Sequence, residues 1–182
     1  MHQIVTASIP VFARKGFEGT KISHIAEAAG LSQGHIYNYY ASKRELFVNA
    51  VYWAMNMYGD IVDQAVQQPG TAIDKLTWHL DATLSHSMMA DSILIISQAQ
   101  LIDAVPRVHM DNVPHTGLDN LKPIIEILRR GQSEGSIRSG SPADLAVLYF
   151  SLILGFVLIG IRGYDNVMEA HYSASLVNLL KP

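Results

Sequence analysis

The sequence contains no cysteine. Disulfides, thiolate zinc sites and cysteine nucleophiles are therefore excluded, and a reducing compartment, the cytoplasm, is the expected location. Charge is also scarce: Asp, Glu, Lys and Arg make up 16% of the chain against 49% hydrophobic residues. Such a chain can bury a sizeable core and does not belong to the disordered class. The shortage of charge points to surface hidden in an oligomer or to a greasy cavity. Period-two alternation is nearly missing, and helical spacing of apolar residues takes its place. The N-terminus has no charged start followed by an apolar run, so no signal peptide is expected. No nucleophile–base pair, phosphate loop or paired-carboxylate motif is legible, so neither an enzyme nor a cofactor is expected.

One long hydrophobic run is present, residues 145–161. It is short for a membrane span, holds Gly155 and Gly160, and has no flanking basic clusters. It reads as a buried helix of a dimer, not as a membrane segment. The net charge of −3 is unevenly spread. Residues 1–50 carry a net charge of +2 and the remainder −5. That asymmetry suits a small basic head on an acidic body.

The fold expected is all-α, with about nine helices. Residues 1–47 form a three-helix head and residues 48–182 a helical body. The first helix carries Pro10 in its interior, which should remove a hydrogen bond and bend it, and Gly16 should end it. Thr20 is expected to cap the second helix, whose apolar stripe is Ile22, Ile25, Ala26 and Ala29. Gly30 stops it. Ser32 is a fresh cap for a short third helix, about 33–40. Ser42, with Glu45 three residues on, reads as a capping box opening a long fourth helix over 43–67. Five more helices are expected near 71–88, 91–104, 117–134, 142–162 and 166–180. No flexible linker separates head from body, because the boundary falls inside the fourth helix.

Residues 16–47 carry the strongest signal. Two short helices are joined by a tight Gly-Leu-Ser turn, and Ala26, Ala28 and Ala29 let them approach closely. In a helix-turn-helix the second helix enters the major groove. The side chains available to it are Gln33, His35 and Tyr37, with Asn38 and Tyr39 beside them. Gln33 can pair bidentately with adenine, and His35 can donate or accept at a base edge. Ser32, Tyr37 and Lys43 suit phosphates, which fix register without reading sequence. Gly34 leaves room for close backbone approach.

This stretch resembles the DNA-binding head of the TetR (TetR/AcrR) family of bacterial transcriptional regulators. The resemblance rests on Gly16-Phe17, Thr20, Ile25-Ala26, Ala29-Gly30-Leu31-Ser32, Tyr37-Asn38-Tyr39-Tyr40, and Ser42-Lys43 with Leu46. Residues 131–146 also resemble the family's turn into its penultimate helix. The resemblance implies that Tyr37 and Lys43 grip phosphates, with Thr20 and Lys21 helping. It implies that Ser32, Gln33 and His35 face bases or nearby phosphates, with Ser23 and His24 as supplementary contacts. It further implies a ligand-responsive regulator, most simply a repressor that leaves a palindromic double-stranded operator when a small apolar or amphipathic effector binds. The family's short basic arm before the first helix is not evident here.

The body is rich in adaptable side chains, including several of the seven methionines, which tolerate varied ligands. Trp53, Met57, Trp78, Gln98 and Phe156 are the candidate effector contacts. Gln98 is included because an amide in an apolar helix needs a partner. For each, ordinary core packing is the competing account. His79 and His86 share a helical face, and with His109 or His115 and Asp81 they raise the question of a metal. The close spacing of a strong zinc helix is missing, so no metal site is expected. Residues 145–161 and the stripe Leu176, Val177, Leu179 and Leu180 are expected to form a homodimer interface. The alternative function is a helical small-molecule-binding dimer with no DNA role.

Overall fold

A computed structural model describes residues 2–86, 88–101, 121–161 and 171–182. Among the described residues every regular element is a helix, so the fold is all-α. In chain order they are α1 (His2–Gly19), α2 (Ile22–Ala29), α3 (Gln33–Tyr37) and α4 (Lys43–Gln67). Then come α5 (Ala72–Ser85), α6 (Met89–Leu101), α7 (Leu121–Ser133), α8 (Pro142–Ile161) and α9 (His171–Asn178).

The chain divides into two compact units. The first takes Met1–Met57 together with α6 from Asp91 onward; the second takes Tyr58–Ala90 and the chain from His115. Helix α4 therefore starts in one unit and finishes in the other without a break.

In the first unit α1 buries Ile4, Val5, Ile9, Phe12 and Ala13. Pro10 lies inside this helix and cannot donate back to the preceding turn. The true break is Gly16, at φ 71° and ψ 168°, a conformation that a side chain would strain. The break turns Phe17 back toward Phe12 and Phe47. The Phe12–Phe47 ring centroids are 5.0 Å apart, edge to face, and the Phe17–Phe47 centroids 5.1 Å apart. Burying one such ring contributes about 1.5–3 kcal/mol. Gln3 Nε2 donates to the Ala29 carbonyl at 3.0 Å, fastening the start of α1 to the end of α2.

Two ties fasten α6 to α1. Gln98 Nε2 donates to the Ala13 carbonyl at 2.9 Å, and Arg14 pairs with Asp91 at 3.7 Å. Burial raises the Asp91 pKa, against the opposing pull of Arg14.

In the second unit Thr71 and Asp74 form a capping box at the start of α5. Asp74 Oδ2 accepts from the Thr71 N–H at 2.8 Å, and Thr71 Oγ1 from the Asp74 N–H at 3.3 Å. Hydrogen bonds to the carboxylate from the Thr71 N–H and, at 2.7 Å, from the Thr71 hydroxyl hold the Asp74 carboxyl below its usual pKa. Helix α7 packs on α5 through Gly131, where an added Cβ would lie 2.6 Å from Ala72 Cβ and 2.3 Å from Ile137 Cγ1. No larger residue fits that contact. The following turn closes through Gly135, at φ 72°. The Arg138 N–H then bonds the Leu180 carbonyl at 2.8 Å, pinning the C-terminal end.

Helix α8 is two-faced in burial but not in polarity. Leu145, Ala146, Tyr149, Ile153 and Val157 are buried, whereas Val147, Leu148, Leu158 and Ile159 are 43–56% exposed. By length and composition Pro142–Ile159 could cross a membrane. The inner face carries a buried tyrosine hydroxyl bonded inside the unit.

Candidate nucleic-acid interface

The turn between α2 and α3 is built by local rules. Gly30 sits at φ 66° and ψ 32°. The Leu31 N–H reaches back to the Ala26 carbonyl at 2.9 Å, and the Gly30 N–H to Glu27 at 3.1 Å. This is the glycine-terminated helix end that satisfies orphan carbonyls. Ser32 Oγ then accepts the His35 N–H at 3.2 Å and starts α3.

Only Ile36 of α3 is buried. Ser32, Gln33, Gly34, His35, Tyr37, Asn38 and Tyr39 are exposed, while Tyr40 is buried. One apolar anchor thus seats the helix and leaves a continuous polar and aromatic row outside. Tyr37 is 53% exposed, a large aromatic left in water. The His35 and Tyr39 rings lie 5.3 Å apart. Gly34 has ordinary backbone geometry, and an added Cβ would come no closer than 3.9 Å to Ser32 Oγ. No contact among the described residues requires a glycine there.

Lys43 and Thr20 are placed differently from the expectation. Lys43 Nζ donates to the Phe17 carbonyl at 2.7 Å and the Thr20 carbonyl at 3.0 Å, and stands 4.5 Å above the Phe17 ring centre. Its ammonium therefore holds the turn after α1. Thr20 is buried, with its hydroxyl donating to the Gly16 carbonyl at 2.7 Å. It faces inward, away from any phosphate, and it does not cap α2. The residue preceding α2 is Lys21, whose N–H bonds His24 Nδ1 at 3.2 Å. Lys21 is exposed. The Ser42–Glu45 box forms in modified shape. Ser42 Oγ accepts the Glu45 N–H at 3.1 Å, but the Glu45 carboxylate reaches past Ser42 to the Ala41 N–H at 2.7 Å.

Trp53, Met57 and Gln98 fall in the first unit, Trp78 and Phe156 in the second. All five are half-buried. Trp53 stands edge-on to His2 at 5.8 Å. One N–H of the Gln98 amide is given to the Ala13 carbonyl, and its buried Oε1 has no partner among the described residues. His79 is buried and His86 exposed; His79 bonds Tyr149, so the pair does not share a site. His109 and His115 lie outside the described residues.

A capped two-helix turn presenting Gln33, His35 and Tyr37 outward on a short helix defines a DNA-binding regulator of the helix-turn-helix class. Residues 4–50, which span most of α1, all of α2 and α3 and the start of α4, match the family described as bacterial regulatory proteins, tetR family.

Relatives extend beyond the head. The fatty acid metabolism regulator protein of Bacillus subtilis is 24% identical over 145 residues, covering 79% of this chain and 74% of its own. The HTH-type transcriptional repressor KstR2 of Mycolicibacterium smegmatis is 23% identical over 168 residues, covering 89% and 78%. Among solved structures, FadR from Bacillus subtilis in complex with stearoyl-CoA superposes with a TM-score of 0.66 at 22% identity. That match covers 97% of this chain and 96% of the other. These likenesses do not favour a helical dimer without a DNA role.

Proposed function

We propose that this chain is a repressor that holds a palindromic operator as a homodimer and leaves it when an apolar or amphipathic effector enters the body. The observation carrying this reading is the outward row on α3, a polar and aromatic surface that no described residue covers. Gln33 and His35 read base edges; Ser32, Lys21 and Tyr37 contact phosphates; Gly34 lets the backbone close on the groove. Lys43 acts on DNA through the turn it fastens. The exposed apolar face of α8, with Leu179 beyond α9, serves as the dimer interface, which pairs two heads on two half-sites. The protein works in the cytoplasm by binding, not catalysis.

Effector control has a route in the helices. Residues 1–47 act as head and residues 48–182 as body, and α4 runs unbroken across that boundary. Through Gln98–Ala13 and Arg14–Asp91, α6 also grips α1 beside its Gly16 break. An effector changes DNA affinity only if it binds one arrangement of these helices better than the other. Trp53, Met57, Trp78 and Phe156 supply adaptable contacts, and the names of the relatives point to lipid-like molecules.

The test is fluorescence anisotropy of a labelled operator duplex with a panel of apolar and amphipathic compounds, stearoyl-CoA included. At least one should raise the operator Kd tenfold or more. A panel that releases nothing, although it binds the protein, contradicts control by effector.

A further inference from the structure

The second unit gathers unsatisfied polar atoms around one buried histidine. His79 Nδ1 lies 2.8 Å from the Tyr149 hydroxyl, and that hydroxyl lies 2.9 Å from the Leu76 carbonyl. A carbonyl can only accept, so Tyr149 donates to Leu76 and its oxygen accepts from the Nδ1–H of His79. The imidazole is thereby fixed in the tautomer with a bare Nε2. Burial keeps it neutral, with a pKa pushed down to about 4.

His79 Nε2 has no partner among the described residues, and neither have the hydroxyls of Tyr58 and Thr83 or Asp81 Oδ1. His79, Thr83 and Tyr58 are all buried. Thr83 is one helical turn beyond His79 on the same face of α5. The Tyr58 ring stands edge-on to the imidazole at 5.7 Å, with the Phe150 ring 5.8 Å from Tyr58. A buried polar atom without a partner is costly, and an occupant shared by His79 and its neighbours Tyr58 and Thr83 removes that cost.

We propose that His79, Tyr58 and Thr83 bind the hydroxyl end of an uncharged, apolar effector. A hydroxyl is the group that matches all three: it donates one hydrogen bond, to His79 Nε2, and accepts two, from Tyr58 and Thr83. A thioester or ester carbonyl only accepts and leaves Nε2 bare. A carboxylate does the same, and meets the Asp81 carboxylate, whose charge also contributes to the raised pKa of Tyr149 after burial itself. The surrounding rings supply the apolar wall. The proposal rests on the effector reading above and names the chemistry of the effector's buried end.

Matched titrations of the full chain with dodecan-1-ol, dodecylamine and dodecanoate test it, read by calorimetry and by the 15N resonance of His79 Nε2. The alcohol should bind most tightly and shift that resonance. Tyr58→Phe and Thr83→Val should each weaken alcohol binding about 3- to 10-fold. If either variant fails to fold by circular dichroism, the other variant and the wild-type resonance decide. Equal binding of dodecanoate or dodecylamine overturns the proposal, as does an unmoved resonance or an unchanged Kd in the folded variants, which would leave only a trapped water there. Binding of the alcohol without operator release leaves the site standing and removes its link to control of the operator. Release by other compounds that survives both substitutions does the reverse.

Discussion

Lys43 shows how a basic side chain in a DNA-binding head can be structural. Its ammonium donates to carbonyls at the end of α1 and stands over Phe17, so its loss loosens the turn that seats α2. Lys43→Met keeps most of the apolar stem and removes the donors. Urea unfolding should show a loss of about 1–3 kcal/mol, together with weaker DNA binding. An unchanged unfolding midpoint would show those contacts to be idle, and would return Lys43 to the phosphates.

His79 provides the residue-scale dependence on pH. Its pKa falls from 6.5 to about 4 in the folded state because of burial. Between those values the unfolded chain binds the extra proton, so stability is present above pH 6.5 and is lost as pH falls toward 4. From pH 7 to pH 5 the loss should be about 2 kcal/mol. His79→Gln should flatten that slope; a wild-type slope in the variant would assign the proton elsewhere.

At the scale of elements, α3 is held by little: a serine cap, one buried isoleucine and a glycine in its first turn. Gly34→Ala should stabilise the head by about 0.5–1 kcal/mol, because glycine is a poor helix former and the space is open. The same change should weaken operator binding at least several-fold if DNA backbone approaches there. A more stable head that binds as tightly as before would remove Gly34 from the interface.

The helices themselves were readable because their signals are local. Ser32 and Ser42 at the starts of α3 and α4, and Gly30 after the end of α2, placed those boundaries within a few residues. The exceptions have physical causes. Thr20 resembles a cap, but the left-handed Gly16 puts a carbonyl closer to its hydroxyl. Helix α3 stops at Tyr37, before the buried Tyr40. The partner of Gln98 is 85 residues away and that of His79 is 70 away. Periodicity within a helix carries no information about such pairs. The exposed row on α3 was legible for the opposite reason: its contacts lie outside the chain, and one buried anchor fixes which side faces out.

At the scale of the whole molecule, the outer face of α8 leaves large apolar side chains in water, with Leu148 and Leu158 at least half exposed. A contiguous apolar face of this kind marks an association surface. Leu148→Glu with Leu158→Glu should give a folded monomer in sedimentation velocity and cost most of the operator affinity, since two heads then bind singly. A dimer that survives both charges would move the interface elsewhere.

The regulatory role turns on whether α3 reads DNA. The most direct measurement is operator binding across a salt series, using duplex from the region upstream of this chain's own gene, for the wild type and for Gln33→Ala and Tyr37→Phe. The wild type should bind, with log K falling linearly against log salt as phosphates are neutralised. Tyr37→Phe should weaken all sequences alike, and Gln33→Ala should relax preference at one base position in each half-site. No binding at low salt without effector, or a Gln33→Ala variant with unaltered base preference, would contradict it.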